Sequence, residues 1–338
     1  MTGGLSAAEI TELFTHASTA ELIGRAEAVC RQVHGRAVLL RGLIEYSNFC
    51  DNDCLYCGIR RGNRLVNRYR MDEEAILAVV EAGYGRGFRS FVLQGGEDPG
   101  YTTDRICRLV ARIKDEGRGD AAVTLSCGMR RREEYRAMAQ AGADRFLLRF
   151  ETADPRRHYA LRKSPLADRL KALADLREAG FQLGSGFMVG LPGESPATQL
   201  ANILLCTKLQ LDMIGIGPFI PHPDTPLRHA RQQSLEPVIR SLALLRLALP
   251  LAHMPATTAA GSLVADGRQR MLAAGANVLM PNLTPEACKR EYLLYPNKIC
   301  LVEQGIDGLE ILAEQIRPLG RELSFARGDA LRLERSSG

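Results

Sequence analysis

The 338-residue chain reads as an α/β protein built on a closed barrel of eight parallel strand–helix units. Three observations predict this. Short apolar runs alternate with helix-like stretches along most of the chain, with short loops between them. No Pro/Gly/Ser-rich linker, low-complexity tract or short repeat divides it into separate folding units. The first strand is not followed by the G-x-G-x-x-G turn of an open dinucleotide-binding sheet.

Composition narrows the function classes. A hydrophobic fraction of 46% supplies a sizeable core, and a net charge of +5 is small for this length. Basic residues are interleaved with acidic ones, as in Arg130-Arg131-Arg132-Glu133-Glu134, which argues against a nucleic-acid partner. The most apolar stretch, 242–254, is interrupted by Arg246 and Pro250 and falls short of the roughly 20 residues a bilayer span needs. The N-terminus carries Glu9 and Glu12 and has no basic-then-apolar signal pattern, so neither membrane insertion nor export by that route is expected. Nine cysteines, an odd number, do not form a disulfide framework and point to a reducing compartment.

Residues 1–35 read as a helical lead-in, with Ser6-Ala7-Ala8-Glu9 resembling a capping box. A first strand over 38–46 then delivers a cysteine-rich loop. Helices are predicted at 71–82, 103–116, 131–141, 167–179, 195–209, 234–248 and 267–274. Between them lie strands at 90–94, 121–126, 144–149, 182–189, 213–217, 253–257 and 277–280. The barrel is assigned to 36–302, and 303–338 to a C-terminal extension: a closing helix over 307–319 and a tail whose last ten or so residues fray.

The loop after the first strand carries Cys50, Cys54 and Cys57 in a C-x3-C-x2-C pattern. Three thiolates so gathered can hold three irons of a 4Fe-4S cluster, whose usual complement is four cysteines, and they leave one iron open. The alternatives are buried structural cysteines or a zinc knuckle, but no nearby Cys or His supplies the fourth ligand that structural zinc uses. Cys30, Cys107, Cys206 and Cys288 read as small buried hydrophobes.

In such a barrel the working residues lie at the C-terminal ends of strands. Strand two ends in Gln94-Gly95-Gly96-Glu97, where glycine lets the main chain approach closely, although the same residues make a good turn. Strand three offers Thr124 and Ser126. Alternation on strand four puts Arg145, Leu147, Arg149 and Glu151 on one face: an inward set of two cations and an acid, or a salt-bridged interior. Arg169 opens the next helix. Met188 ends strand five, His222 sits in a proline-rich loop after strand six, Thr257 and Thr258 end strand seven, and Tyr292, Tyr295, Lys298 and Cys300 follow strand eight.

Several segments together resemble the FeFe-hydrogenase maturase HydE family of radical S-adenosylmethionine (SAM) enzymes. They include 44–48, Leu55-Tyr56-Cys57-Gly58-Ile59-Arg60-Arg61, Gln94-Gly95-Gly96-Glu97-Asp98, the proline-rich run 215–226, Pro255-Ala256-Thr257-Thr258-Ala259 and Tyr295-Pro296-Asn297-Lys298-Ile299-Cys300. The resemblance implies a cytoplasmic enzyme with a TIM-type barrel, one 4Fe-4S cluster on Cys50, Cys54 and Cys57, and reductive cleavage of SAM to a 5′-deoxyadenosyl radical. It implies that Tyr56 and Met188 neighbour the adenosyl group, that Gly95, Gly96, Glu97, Arg149, Glu151 and Arg169 bind SAM, and that Gln94, Thr124, Arg145, Thr257, Thr258 and Tyr292 line the substrate chamber. The implied substrate is a cysteine-bound iron carbonyl cyanide complex. Reduced ferredoxin or flavodoxin would donate electrons, and HydG and HydF would be partners. The alternatives are a HydE-like enzyme acting on another amino-acid-derived or thiol molecule, as methylornithine synthase and biotin synthase do, and an electron-transfer scaffold. Gly95 stands where the family commonly has serine, and Phe150 where it has histidine. Gly308 and Ile311 replace the cysteines of the C-x7-C-x2-C pattern that Cys300 would begin, so no second cluster is expected.

Overall fold

The computed structural model describes residues 4–115, 119–298, 305 and 307–334. The helix Ala7–His16 starts on the predicted capping box, with Glu9 N donating to Ser6 Oγ and Ser6 N to the Glu9 carboxylate at 2.8 Å. A second helix, Thr19–His34, buries Leu22, Ala26 and Cys30 and packs on the helix Glu236–Ala248.

The strands are β1 Ala37–Leu40, β2 Gly42–Ser47, β3 Ser90–Gly95, β4 Ala122–Ser126, β5 Arg145–Leu147, β6 Gln182–Ser185, β7 Met188–Val189, β8 Met213–Ile214, β9 Gly217–Pro218, β10 Val278–Leu279 and β11 Glu322–Ser324. A parallel sheet runs β2-β3-β4-β5-β6-β8. Single parallel bridges continue it, Met213 to His253 and Pro255 to Val278. β10 then pairs with β1, placing Leu39 opposite Val278, and Asn282 bridges Leu43 on β2. The ring therefore closes, as the strand–helix alternation predicts. Outward residues such as Phe91, Leu93, Val123, Leu125 and Phe146 are buried under the surrounding helices. No described helix is long and apolar enough to cross a membrane.

Several predicted strands are shorter than the apolar runs that suggested them. The first breaks at Arg41: β1 pairs with β10 and β11, whereas β2 pairs with β3. The run over 182–189 breaks at Gly186, which has φ +150, and a Cβ there would fall 2.1 Å from Gly215 O. Beyond the break β7 pairs with β9 as a two-stranded lip at the barrel mouth. Local apolarity cannot show which neighbour a strand will pair with, and here the partner changes midway.

The C-terminal segment also departs from expectation. The closing helix spans Leu309–Ile316 with a 3-10 turn over Arg317–Leu319, after which β11 joins β1 and a short helix forms at Leu331–Glu334. Rather than fraying, residues 327–332 form the barrel floor. Asp329 Oδ1 accepts from Arg145 Nη2 and from Gln182 Nε2, both at 2.8 Å, and Ala330 is buried.

Arg145 is thereby corrected. Its fully buried guanidinium donates to Ser90 Oγ, Gln182 Oε1, Arg327 O and Gly328 O, all at the strand beginnings. Strand rise puts it four residues, about 13 Å, below Arg149. The face was correctly inferred and the depth was not. Removing one partner of a buried pair costs about 3–5 kcal/mol. We therefore expect Arg145→Met to lose stability at the lower end of that range in urea unfolding, while the SAM cleavage that the resemblance implies is kept per folded molecule. A loss of cleavage with stability intact would return Arg145 to the active site.

Candidate active site

The loop leaving β2 has no sheet ladder, so its polar backbone must find other partners. Asn48 Nδ2 donates to Asn67 O and Glu291 O, each at 2.8 Å, and Asn48 Oδ1 accepts from Tyr69 N at 2.8 Å. Arg68 donates to the carbonyls of Asn48, Ile59, Arg60 and Asn63. From across the barrel mouth, Leu161 O accepts from Leu55 N at 2.9 Å and Leu294 O from Gly58 N at 3.0 Å. Cys50, Cys54 and Cys57 are thus free thiols on a loop clamped from three sides. Burial raises the pKa of each, most of all at Cys57, where the charges of Cys54 and Cys50 add to it. Metal binding here must displace thiol protons. Among the described residues no three His, Cys, Asp or Glu side chains converge as a single metal ion requires.

β3 ends against this loop. A Cβ on Gly96 would lie 2.1 Å from Phe49 O and 2.7 Å from Cys50 Cβ, so only glycine allows the approach, and Asp51 N donates to Glu97 O at 3.0 Å. After β4, Gly128 has φ +80, and a Cβ there would fall 1.7 Å from Glu97 Cγ. The Glu97 side chain occupies that space, its Oε1 3.6 Å from Arg162 Nη2 and 3.7 Å from Arg169 Nη2. Arg162 also donates to the Tyr56 hydroxyl at 2.7 Å. Burial opposes its charge, but Tyr56, Cys54, Glu151 and Glu97 outweigh burial and raise its pKa. Burial, and then Arg162, lower that of Arg169. Beyond β5, Arg149 and Glu151 pair at 3.0 Å, and Glu151 has a left-handed φ of +67, unusual for a side-chain-bearing residue.

These residues surround a cavity of about 210 Å³. The three cysteines and Tyr56 line one wall, Gln94 to Glu97 a second, and Arg149, Arg162, Arg169 and Tyr292 the rest. A second cavity of about 130 Å³ lies deeper in the barrel and shares Gln94, Leu147 and Arg149 with the first; Arg41, Thr124, His253 and Thr257 also line it. Hollows of about 240 and 540 Å³ lie elsewhere, but their charges are answered locally: Asp212 by Arg332, Asp98 by Arg70. In the cysteine-lined site the charges also pair, but the pairing leaves donors over. Apart from the Arg149–Glu151 ion pair, Arg149 Nε, Arg162 Nε, Arg169 Nε and Thr124 Oγ1 are buried without hydrogen-bond partners. Orphans of this kind mark where a polar ligand belongs.

A radical SAM superfamily model matches residues 44–204. HydE, the FeFe-hydrogenase maturase subunit of Thermotoga maritima, is 43% identical over 298 residues, covering 88% of this chain and 85% of that protein. The chain belongs to the HydE family of radical SAM proteins. A 3-methylornithine synthase of Methanosarcina acetivorans is 28% identical over 269 residues, or 79% of this chain and 75% of that one. The crystal structure of methylornithine synthase superposes with a TM-score of 0.79 at 23% identity, covering 95% and 94% of the two chains. HydG gives 0.81 at 18%, covering 95% of this chain and 73% of that one. Both share this barrel fold.

For a HydE-family chain, most residues singled out from sequence meet at the two cavities. Cys50, Cys54, Cys57, Tyr56, Gln94, Gly95, Gly96, Glu97, Arg149, Arg169 and Tyr292 line the upper one, and Thr124 and Thr257 the lower. Glu151 reaches the site through Arg149. Met188 packs in a small apolar cluster with Tyr56, Leu161, Leu191 and Phe219. Thr258 opens the helix Thr258–Leu263 and lines neither cavity, and His222 is buried in its loop, its Nδ1 accepting from Asp224 N at 3.1 Å. Cys300 lies outside the described residues. Cys30 and Cys206 are buried as expected, while Cys107 and Cys288 are only partly so.

Sequence reasoning missed Arg162 and Gly128. Arg162 sits in the run Arg156-Arg157-His158-Tyr159-Ala160-Leu161-Arg162-Lys163, where nothing local separates it from solvated cations. Gly128→Ala combines a left-handed backbone with collision against Glu97, so SAM affinity should fall at least tenfold by equilibrium dialysis. Gly180→Ala is the control: φ is +92, yet nothing lies within 4 Å of its Cβ. Equal affinity losses in the two variants would mean that strain, not displacement of Glu97, is responsible.

Proposed function

We propose that this chain cleaves SAM reductively and uses the radical in building the diiron site of FeFe-hydrogenase, on a cysteine-bound iron carbonyl cyanide precursor. The observation that carries this reading is the convergence of three free thiols, Glu97 and three arginines on one cavity that opens into a second. The 43% identity to a HydE, against 28% to a methylornithine synthase, favours the maturation substrate over an amino-acid-derived one.

Cys50, Cys54 and Cys57 would hold a 4Fe-4S cluster, which when bound would supply the electron for cleavage of SAM to methionine and the 5′-deoxyadenosyl radical. The chain's own residues hold the reactants. Glu97 and the main chain of Gly95 and Gly96 accept from the SAM amino group, and Arg169, with Arg149 beside it, forks the carboxylate. Glu151 takes the ribose hydroxyls, while Tyr56 and Met188 neighbour the adenine. Arg149, Arg162 and Arg169 outnumber Glu97 and Glu151, so guanidinium donors are left over for the SAM carboxylate. Gln94 lines both cavities and Tyr292 the upper one, and Thr124, with its unpartnered hydroxyl, and Thr257 face the space where the substrate would lie. Burial of the site keeps water from the radical. HydG and HydF are the partners this role requires.

Anaerobic reconstitution with iron and sulfide, followed by dithionite and SAM, should yield 5′-deoxyadenosine. Cys54→Ala should abolish both the cluster's absorption and the product, whereas Cys107→Ala should keep both. No product from fully reconstituted wild type would refute the reading.

A further inference from the structure

Among the described residues, four other than glycine have a positive φ, and three of them occupy ordinary positions. Lys163 caps the helix Pro155–Arg162, Gln210 follows the helix Pro196–Lys208, and Asn297 is of a residue type that tolerates the left-handed region. Glu151 is the exception. It is buried just beyond β5, in a parallel bridge to Phe187, where extended backbone is the rule. Thr152 N donates to Phe150 O at 2.8 Å, closing a three-residue turn around Glu151 in its rare, positive-φ form. Such a backbone costs free energy and persists only where its surroundings over-determine it.

Those surroundings act from two sides. Toward the next barrel unit, Glu151 N donates to Gly186 O at 3.0 Å and Glu151 O accepts from Met188 N at 3.1 Å. On the other side the turn's own acceptor, Phe150 O, is shared with a side chain, His158, whose Nδ1 lies 2.9 Å away. A carbonyl only accepts, so the proton is on Nδ1. His158 is fully buried, and burial lowers its pKa, so the ring is neutral. Its other nitrogen, Nε2, is buried without a partner. An apolar side chain would fill this space without leaving a polar atom unpaired. What the imidazole adds is its one donor to Phe150 O.

The helix that supplies this donor is tied to the cavity. It begins at Asp154, whose Oδ1 accepts from Arg156 N at 2.9 Å and from Arg157 N at 3.1 Å, with proline at its first position. His158 and Arg162 stand one helical turn apart and share a face. The first reaches the turn at Glu151, and the second reaches the cavity, where it faces Glu97 and donates to Tyr56. The Glu151 carboxylate in turn lies 3.0 Å from Arg149 Nη2 on the cavity wall. Relaxing Glu151 to a negative φ re-aims its Cβ and takes the carboxylate off that arginine.

We infer that His158 is a positioning residue: by donating Nδ1–H to Phe150 O, it holds Glu151 in the left-handed conformation that keeps its carboxylate against Arg149 at the cavity. The inference rests on the SAM-binding role proposed above for Glu151.

The test measures SAM binding to the reconstituted protein by equilibrium dialysis. Leucine and asparagine have the same branched shape, but only the asparagine amide can place an N–H where Nδ1–H stands. His158→Leu should weaken SAM binding about tenfold, the scale of one lost buried hydrogen bond, and His158→Asn should stay within about threefold of wild type. In a Glu151→Ala background the leucine exchange should change SAM affinity by less than about twofold, because the group being positioned is gone. His158→Asn as weak as His158→Leu would overturn the inference. So would a tenfold loss on His158→Leu that persists in the Glu151→Ala background, since either result places the effect in packing. If His158→Leu does not fold, His158→Gln takes its place in both comparisons: its amide reaches the position of Nε2 and leaves Phe150 O without the side-chain donor. Failure of wild type to bind SAM would instead strike the SAM-binding reading itself.

Discussion

A single guanidinium carries much of the burden of holding the cysteine loop. Three thiols can be spread in space only by a segment with no ladder, and such a segment leaves carbonyls without partners. Arg68 collects four of them, from Asn48, Ile59, Arg60 and Asn63, so it ties both flanks of the loop to one rigid plane. Asn48 adds the cross-links to 67–69 and to Glu291. The loop that carries the thiols is therefore held by side chains, and everything else at the barrel mouth is positioned against it. Gly96 lies on Phe49, Leu161 on Leu55, and Leu294 on Gly58.

Much of this was legible in the sequence because it depends on short-range chemistry. The capping box at Ser6 and the strand–helix alternation each announce a local structure, and each formed. Polar residues at strand ends were legible for a related reason: in a parallel barrel all strands point the same way, so their ends must meet. Pairing partners and depth were not legible. Strand period reports a face but not a level, so Arg145 and Arg149 looked equivalent although one lies in the floor and the other at the cavities. The floor itself is made by residues 327–332, some 180 positions away from Arg145, and no local pattern links them.

The two departures from the family's pattern separate once side chains are placed. Phe150 points away from both cavities; it is fully buried, stacks on Phe187 at 5.9 Å, and offers only its carbonyl, to His158 Nδ1 at 2.9 Å. It bears on core packing and not on the chamber. Gly95 is different. A Cβ there would meet Tyr46 Cζ at 2.7 Å and the Tyr46 hydroxyl at 3.0 Å, and that ring is packed on Tyr101 at 4.4 Å. With glycine at 95 the tyrosine occupies the space a serine would take, so a serine side chain at this position requires a second shift in the same wall.

The charge balance of the site explains why so costly an arrangement persists. Secluding Arg162 and Arg169, with Arg149 half-buried, beside two carboxylates and with several nitrogens unpartnered, opposes folding, because desolvation exceeds what imperfect pairs return. Such a cluster would be eliminated if it served only stability, since well-packed apolar residues would do better. A ligand with a carboxylate and an amino group would give these side chains partners, the carboxylate facing guanidinium donors and the amino group facing Glu97, so its binding would stabilise the folded state in proportion to its occupancy. On the proposed reading the same groups would become the source of affinity. They also lie against the thiol loop, so SAM bound there would be held beside the cluster that would reduce it.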